Sequence, residues 1–296
     1  MARGSSDHAA TYLKYACELV AGIPVASVGP SIASVYGATC AADGGACLAI
    51  SQSGKSPDIL ALMQMLGVTA ALTIVLCNDA ASPLAQMCDH PVDILAGRER
   101  SIAATKSFVL SVVAGLLILA HWKQDAGLLA ALHALPVRLA QAAQMDWPDL
   151  RAALLARGPA LVLGRGPSFE IAAEAALKLK ETCAIHAEAY SSAEVMHGPV
   201  ETVDDRYTAL CLAAADAAEP GLIAAADQLA RAGAVSFVTS PVTVVATNLP
   251  VLRTGHPLTD PLALIVTFYA NVERLSRDLG RNPDRPVALK KITETV

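Results

Sequence analysis

Short apolar runs recur along the 296-residue chain, separated by stretches in which apolar positions return with helical spacing. IPVASV, ACLAIS and LTIVLCN are the runs of the first half, and ALVLGRG, TALCLAAA and AVSFVTS those of the second. Runs this short fit strands buried on both faces, and the spacing between them fits amphipathic helices. Their alternation predicts βαβ units, and so an α/β fold of parallel sheets with helices on both faces.

From Trp122 to Arg157 the strand signals stop, and alanine- and leucine-rich helical sequence ending in Asp146-Trp147-Pro148 joins the halves. The expected organisation is a domain over 1–125, a helical linker over 126–157, a second domain over 158–280 and a tail over 281–296. The halves also resemble each other. ARGSSDHAATYLKYACELVAGIPVAS and GRGPSFEIAAEAALKLKETCAIHAEAY share an Arg-Gly pair, a small polar turn, an alanine-rich helix and a second strand at matching distance, which suggests two copies of one fold. An apolar strand, Ala160 to Leu163, feeds Arg165-Gly166, whereas Arg3-Gly4 has no such strand ahead of it, so the first copy is expected to lack its opening strand.

Composition narrows the function class. The chain is 54% hydrophobic but only 4% aromatic, and its net charge of -5 is spread along its length. That argues against nucleic acid and for small-molecule chemistry. The longest apolar run, Phe108 to Ala120, falls short of the roughly 20 residues of a membrane-spanning helix and reads as a core helix. No signal-peptide pattern opens the sequence, so a cytoplasmic location without a membrane partner is expected. Seven cysteines lack CxxC or zinc-type spacing and read as reduced thiols.

The stretch SQSGKSPD, residues 51–58, follows the run ACLAIS and opens a helix. Ser56 suits the N-cap, Pro57 the first helical position and Asp58 the positive end of the helix dipole. Free backbone N–H groups, the hydroxyls of Ser51, Ser53 and Ser56, the Gln52 amide and the permissive Gly54 backbone together make a metal-free phosphate cradle. A capped helix with no ligand fits these residues equally well. The loop's place at the carboxyl end of a strand favours binding, because ligands of open α/β sheets sit there. The lysine is not in a GxxxxGK[ST] arrangement, which excludes a Walker-type nucleotide loop. The second half has the serine-free CLAAADAAE at the matching place, so one phosphate is expected.

Helical spacing puts Glu170, Glu174, Lys178 and Glu181 on one face of a single helix. By pattern alone that face reads as solvated, with Glu174–Lys178 as a surface pair. Further on, His197 ends a helical stretch just before Gly198-Pro199 stops it.

Taken in order, SQSGKSPD, ERSIAATKSF, ALKLKET-IHAEAY-SAE-HGP and the closing LKKITETV resemble the double sugar-isomerase (SIS) domains of the isomerase half of glucosamine-6-phosphate synthase. The glutaminase domain of that synthase has no counterpart in these residues, and in this the chain resembles the standalone SIS-type glucosamine-6-phosphate deaminases. The resemblance implies two flavodoxin-like SIS domains. It implies that Ser6, Ser51, Gln52, Ser53 and Ser56 surround a sugar phosphate, with Glu99 and Ile102 bordering the sugar. Glu181 is then the base that moves a proton between C1 and C2, Lys178 supplies positive charge nearby, His197 assists ring opening from the partner subunit of a homodimer, and Lys291 contacts the open-chain sugar. No metal or other cofactor is required. The implied reaction releases ammonia and fructose 6-phosphate from glucosamine 6-phosphate; a plain isomerase, a deglycase on amine-linked sugar phosphates or a non-catalytic sugar-phosphate sensor would use the same loop.

Overall fold

The computed structural model describes residues 1–40, 42–156, 158–242, 245–286 and 288. They form two compact units, Met1–Gln124 and Asp125–Leu289.

In the first unit the order is α1 (Ser5–Ala21), α2 (Ser31–Ser34), β1 (Ala46–Ser51), α3 (Pro57–Gly67), β2 (Leu72–Cys77), α4 (Pro83–Met87), β3 (His90–Asp93) and α5 (Lys106–Lys123). The strands lie in the order β1-β2-β3, all parallel, with Ala46 opposite Leu72 and Ile74 opposite His90. Ala49, Ile59, Met63, Val75, Cys77 and Leu84 interlock between α3 and the sheet. Helix α5 has the length and hydropathy of a membrane span. Its Phe108, Val112, Leu116 and Leu119 are buried, however, and Gly115 lets α1 approach through Leu13, as expected of a core helix.

The run IPVASV, read above as a strand, forms none; residues 23–28 are irregular and largely exposed. A parallel strand needs a neighbour to take its N–H and C=O groups. On the open edge of β1 the described residues offer only the Met1 backbone, whose ammonium donates to Leu48 O and whose carbonyl accepts from Ile50 N–H. Among the described residues no strand continues the sheet toward IPVASV.

The second unit runs α6 (Ala126–Ala142), α7 (Pro148–Ala156), β4 (Ala160–Gly164), α8 (Pro167–Lys178), a π-helical turn (Leu179–Cys183), β5 (Ala187–Ser191), two 3-10 turns (Glu194–His197 and Pro199–Thr202), β6 (Thr208–Cys211), α9 (Glu219–Arg231), β7 (Val235–Val238), β8 (Thr247–Asn248) and α10 (Asp260–Asp278). Its parallel sheet has the order β5-β4-β6-β7-β8. Here the second strand does form, because β4 is present to pair with β5. Helix α8 packs on β4 and β5, and α9 on β6 and β7. The helices α6 and α7 pack against α10, and the intervening Trp147 is fully buried, its N–H donating to Asn271 Oδ1 at 2.8 Å and its ring N–H to Pro250 O. The segment between the halves is thus part of the second unit's core.

Both Arg-Gly pairs open a helix in the same way. Gly4 has φ 55°, ψ -134° ahead of α1, and Gly166 has φ 58°, ψ -136° ahead of α8.

Candidate active site

In the first unit, β1 delivers Ser51 to the carboxyl edge of the sheet, and the chain turns there on Gly54, whose φ is 63°. Ser51 Oγ accepts from Gly54 N–H at 3.0 Å, and Ser53 Oγ accepts from Lys55 N–H at 3.3 Å. Gly54 rests against Ser82 and Cys77 so closely that a Cβ there would collide with the Ser82 side chain. Its carbonyl accepts from Leu84 N–H at 3.2 Å. Ser82, which caps α4, thereby braces the back of the loop.

Ser56 stands at the N-cap of α3 in extended conformation, with Pro57 and Asp58 behind it, as the sequence predicts. Its hydroxyl makes no cap bond. Among the described residues the backbone N–H groups of Gln52, Ser53 and Ser56 also take no acceptor. Donors therefore gather at a helix N-terminus with the capping bond unmade, an arrangement suited to an anion. Gln52, Ser53 and Ser56 are half-buried and Ser51 is buried.

Ser6 belongs to the first turn of α1 and is half-buried. An ion pair across 55 positions ties this turn to the serine loop: Arg3 Nε donates to Asp58 Oδ2 at 2.6 Å, and the terminal guanidinium nitrogen bonds the same oxygen. No periodicity signals this pair. Glu99 is buried, and its carboxylate accepts from the N–H groups of Thr105 and Ser107 and from the Ser107 hydroxyl, capping α5. Ile102 lies half-buried in the β3–α5 loop.

In the second unit the charged face of α8 is not solvated, contrary to its pattern. Glu170 is buried, and Glu174 and Lys178 are 0% and 1% exposed, because the sheet and α10 cover that face. Lys178 Nζ lies 3.3 Å from Glu174 Oε1 and also bonds the Glu181 carboxylate. Tyr269 of α10 donates to Glu174 Oε1 at 2.8 Å. Burial alone would pull the Lys178 pKa down, but the two carboxylates and their hydrogen bonds more than reverse this and hold it above the ordinary lysine value. The lysine is therefore a fixed cation between two carboxylates.

Glu181 differs from Glu174 in exposure. It lies in the π-helical turn that widens the end of α8, and its side chain keeps 21% of its surface open. Such turns are rare and frequent at functional sites. Of the two carboxylates on Lys178, only Glu181 is open to a ligand. His197 ends a four-residue 3-10 turn, not an α-helix, and is exposed beside Gly198. Lys291 lies outside the described residues.

At the carboxyl end of β6, where the second unit has no serine loop, an arginine occupies the ground. Arg253 donates to Ala213 O at 2.8 Å and to Glu219 Oε1 at 2.6 Å, and sits near the buried Asp260. An internal ion-pair network thus takes the strand-end position that serines hold in the first unit. A separate cavity of about 210 Å³ opens at the amino ends of β4 and β6, lined by His186, Glu188, Tyr190 and Tyr207 among others. None of the candidate residues line it.

The SIS domain family model matches residues 1–120 and 154–239, and the chain belongs to that family. A solved structure from Silicibacter pomeroyi, provisionally assigned as a phosphosugar isomerase, is 55% identical and superposes with a TM-score of 0.91 over 96% of this chain and 86% of its own. A glutamine–fructose-6-phosphate aminotransferase (isomerizing) from Photorhabdus laumondii is 35% identical over 219 residues, 69% of this chain and 35% of that protein. This chain spans from about a third to about half the length of such curated relatives. The glucosamine-6-phosphate deaminase of Thermotoga maritima shares the fold, with a TM-score of 0.82 at 19% identity over 99% of this chain and 89% of its own.

Proposed function

We propose that the chain is a phosphosugar aldose–ketose isomerase of deaminase type, which converts glucosamine 6-phosphate and water to fructose 6-phosphate and ammonia. The observation that carries this reading is the buried Lys178 clamped between Glu174 and the partly open Glu181. A surface charge pair needs no such burial. A reversible proton carrier beside a fixed positive charge is what isomerisation requires.

In this reading the serine loop and Ser6 bind the phosphate, and His197 assists ring opening. Glu181 takes the proton from C2 of the open-chain sugar and returns it at C1. O1 takes up a proton as the enolamine forms, the amine nitrogen gives one up as C1 is protonated to leave an imine at C2, and water adds to that carbon and expels ammonia. Lys178 favours the negative charge that develops on the sugar oxygen only as the proton leaves. Lys291 contacts the same open-chain intermediate. The sensor reading is weaker, since phosphate recognition alone gives no use for the Lys178 triad. We propose further that the two units are copies of one SIS fold, supported by their matching Arg-Gly turns and parallel sheets.

The test is to incubate the protein with glucosamine 6-phosphate, with galactosamine 6-phosphate and with the corresponding non-aminated aldose phosphates, and to measure ammonia and ketose phosphate together. Ammonia and fructose 6-phosphate in equal amounts are expected from the first. Ketose without ammonia from a non-aminated substrate makes the chain a plain isomerase, and binding without turnover makes it a sensor.

A further inference from the structure

Asp58 presents a difficulty for an anion site. It is 1% exposed and occupies the second position of α3, two residues past Ser56. Its Oδ1 accepts from Ile59 N–H at 2.8 Å and its Oδ2 from Arg3. A buried carboxylate at the helix end that faces a phosphate repels it, and the low local dielectric strengthens the repulsion. Lys55, the cation within the loop, is turned to Asp79 at 3.1 Å in an exposed pair. Arg3 is what neutralises Asp58, and about half of its side-chain surface remains exposed beside the turn that carries Ser6.

We propose that Arg3 sets the affinity of the serine loop for the phosphate dianion by neutralising Asp58, which makes it a positioning and affinity residue outside the loop itself. This rests on the phosphate-binding reading of the loop. Were the ion pair only a mechanical tie between α1 and α3, removing both charges would be as harmful as removing one. If neutralisation is the role, the two differ. Loss of Arg3 alone exposes the ligand to an uncompensated buried charge, while loss of both charges restores a neutral floor.

The experiment measures fructose 6-phosphate binding by calorimetry for the wild type, Ser53→Ala, Arg3→Ala and the double variant Arg3→Ala/Asp58→Asn, with circular dichroism to establish folding. Arg3→Ala is expected to bind roughly tenfold or more weakly and to raise KM more than it lowers kcat, and the double variant to return to within about threefold of wild type. Should Arg3→Ala not fold, the double variant carries the test alone: binding near wild type supports the proposal and tenfold weaker binding overturns it. Unchanged affinity in Arg3→Ala, or equal losses in the single and double variants, also overturn it. In those cases a Ser53→Ala defect leaves the phosphate-loop reading standing. A wild type that does not bind the sugar phosphate overturns both.

Discussion

Ser53 and Glu181 carry the account at the scale of single residues. Ser53→Ala removes a hydroxyl and its long bond from Lys55 N–H but leaves the Ser51 bond to Gly54 N–H, and should weaken sugar-phosphate binding by roughly 1.5–3 kcal/mol if that hydroxyl meets a charged oxygen. Titration calorimetry with a non-reacting sugar phosphate reads this directly, and an unchanged affinity returns Ser53 to a turn-forming role. Glu181→Gln keeps shape and loses basicity, so folding and binding should persist while turnover drops by about 10² or more. At this scale the serine loop was legible because its chemistry is local: hydroxyls, glycine, proline and aspartate act on groups within a few residues. The α5 cap made by Glu99 and the Arg3–Asp58 pair were not legible, because their partners are supplied by chain reversals that local pattern does not encode.

Helix α8 shows what pattern loses at the scale of elements. Its charged residues are spaced like a solvated face, and only the covering by the sheet and α10 turns that face into a buried triad. Lys178→Met removes the ammonium 3.3 Å from the buried Glu174 and should cost roughly 3–5 kcal/mol in urea unfolding, much of it recovered when Glu174→Gln is added. The Lys178 contribution also has a defined pH range. The folded protein holds the proton past the ordinary lysine value, so this stability is complete below that value and is lost only as pH rises through the raised folded one. A wild-type advantage over Lys178→Met that vanishes near neutral pH contradicts the buried triad. Gly54→Ala, which forces a Cβ into Ser82 at positive φ, should destabilise the first unit by roughly 2–4 kcal/mol. The apolar runs became strands where a partner strand exists, whereas the short and mostly exposed β3 and β8 carry no such run and were not legible. Residues 23–28 carry the same apolar signal as β1 and stay irregular, since β propensity is realised only through pairing.

Two questions belong to the whole molecule: subunit arrangement and the reaction itself. His197 is exposed on a short turn fixed by Gly198-Pro199, which suits a group that reaches into a partner's site in a two-fold dimer. If sites are shared in this way, mixing Glu181→Gln chains with His197→Ala chains should restore roughly a quarter of wild-type activity, because about half of the dimers are mixed and each has one intact site. Subunit exchange verified by mass-tagged chains, with no activity regained, contradicts sharing. The central claim, that Glu181 moves a proton between sugar carbons, is tested most directly by incubation with fructose 6-phosphate and ammonium in deuterated water and observation by NMR of C1 of the ketose and C2 of the amino sugar formed. The account predicts that solvent deuterium enters the sugar with wild-type protein and that Glu181→Gln, which still binds the phosphate, slows its entry by about 10² or more. Tight binding of the sugar phosphate with no deuterium at either carbon would contradict it.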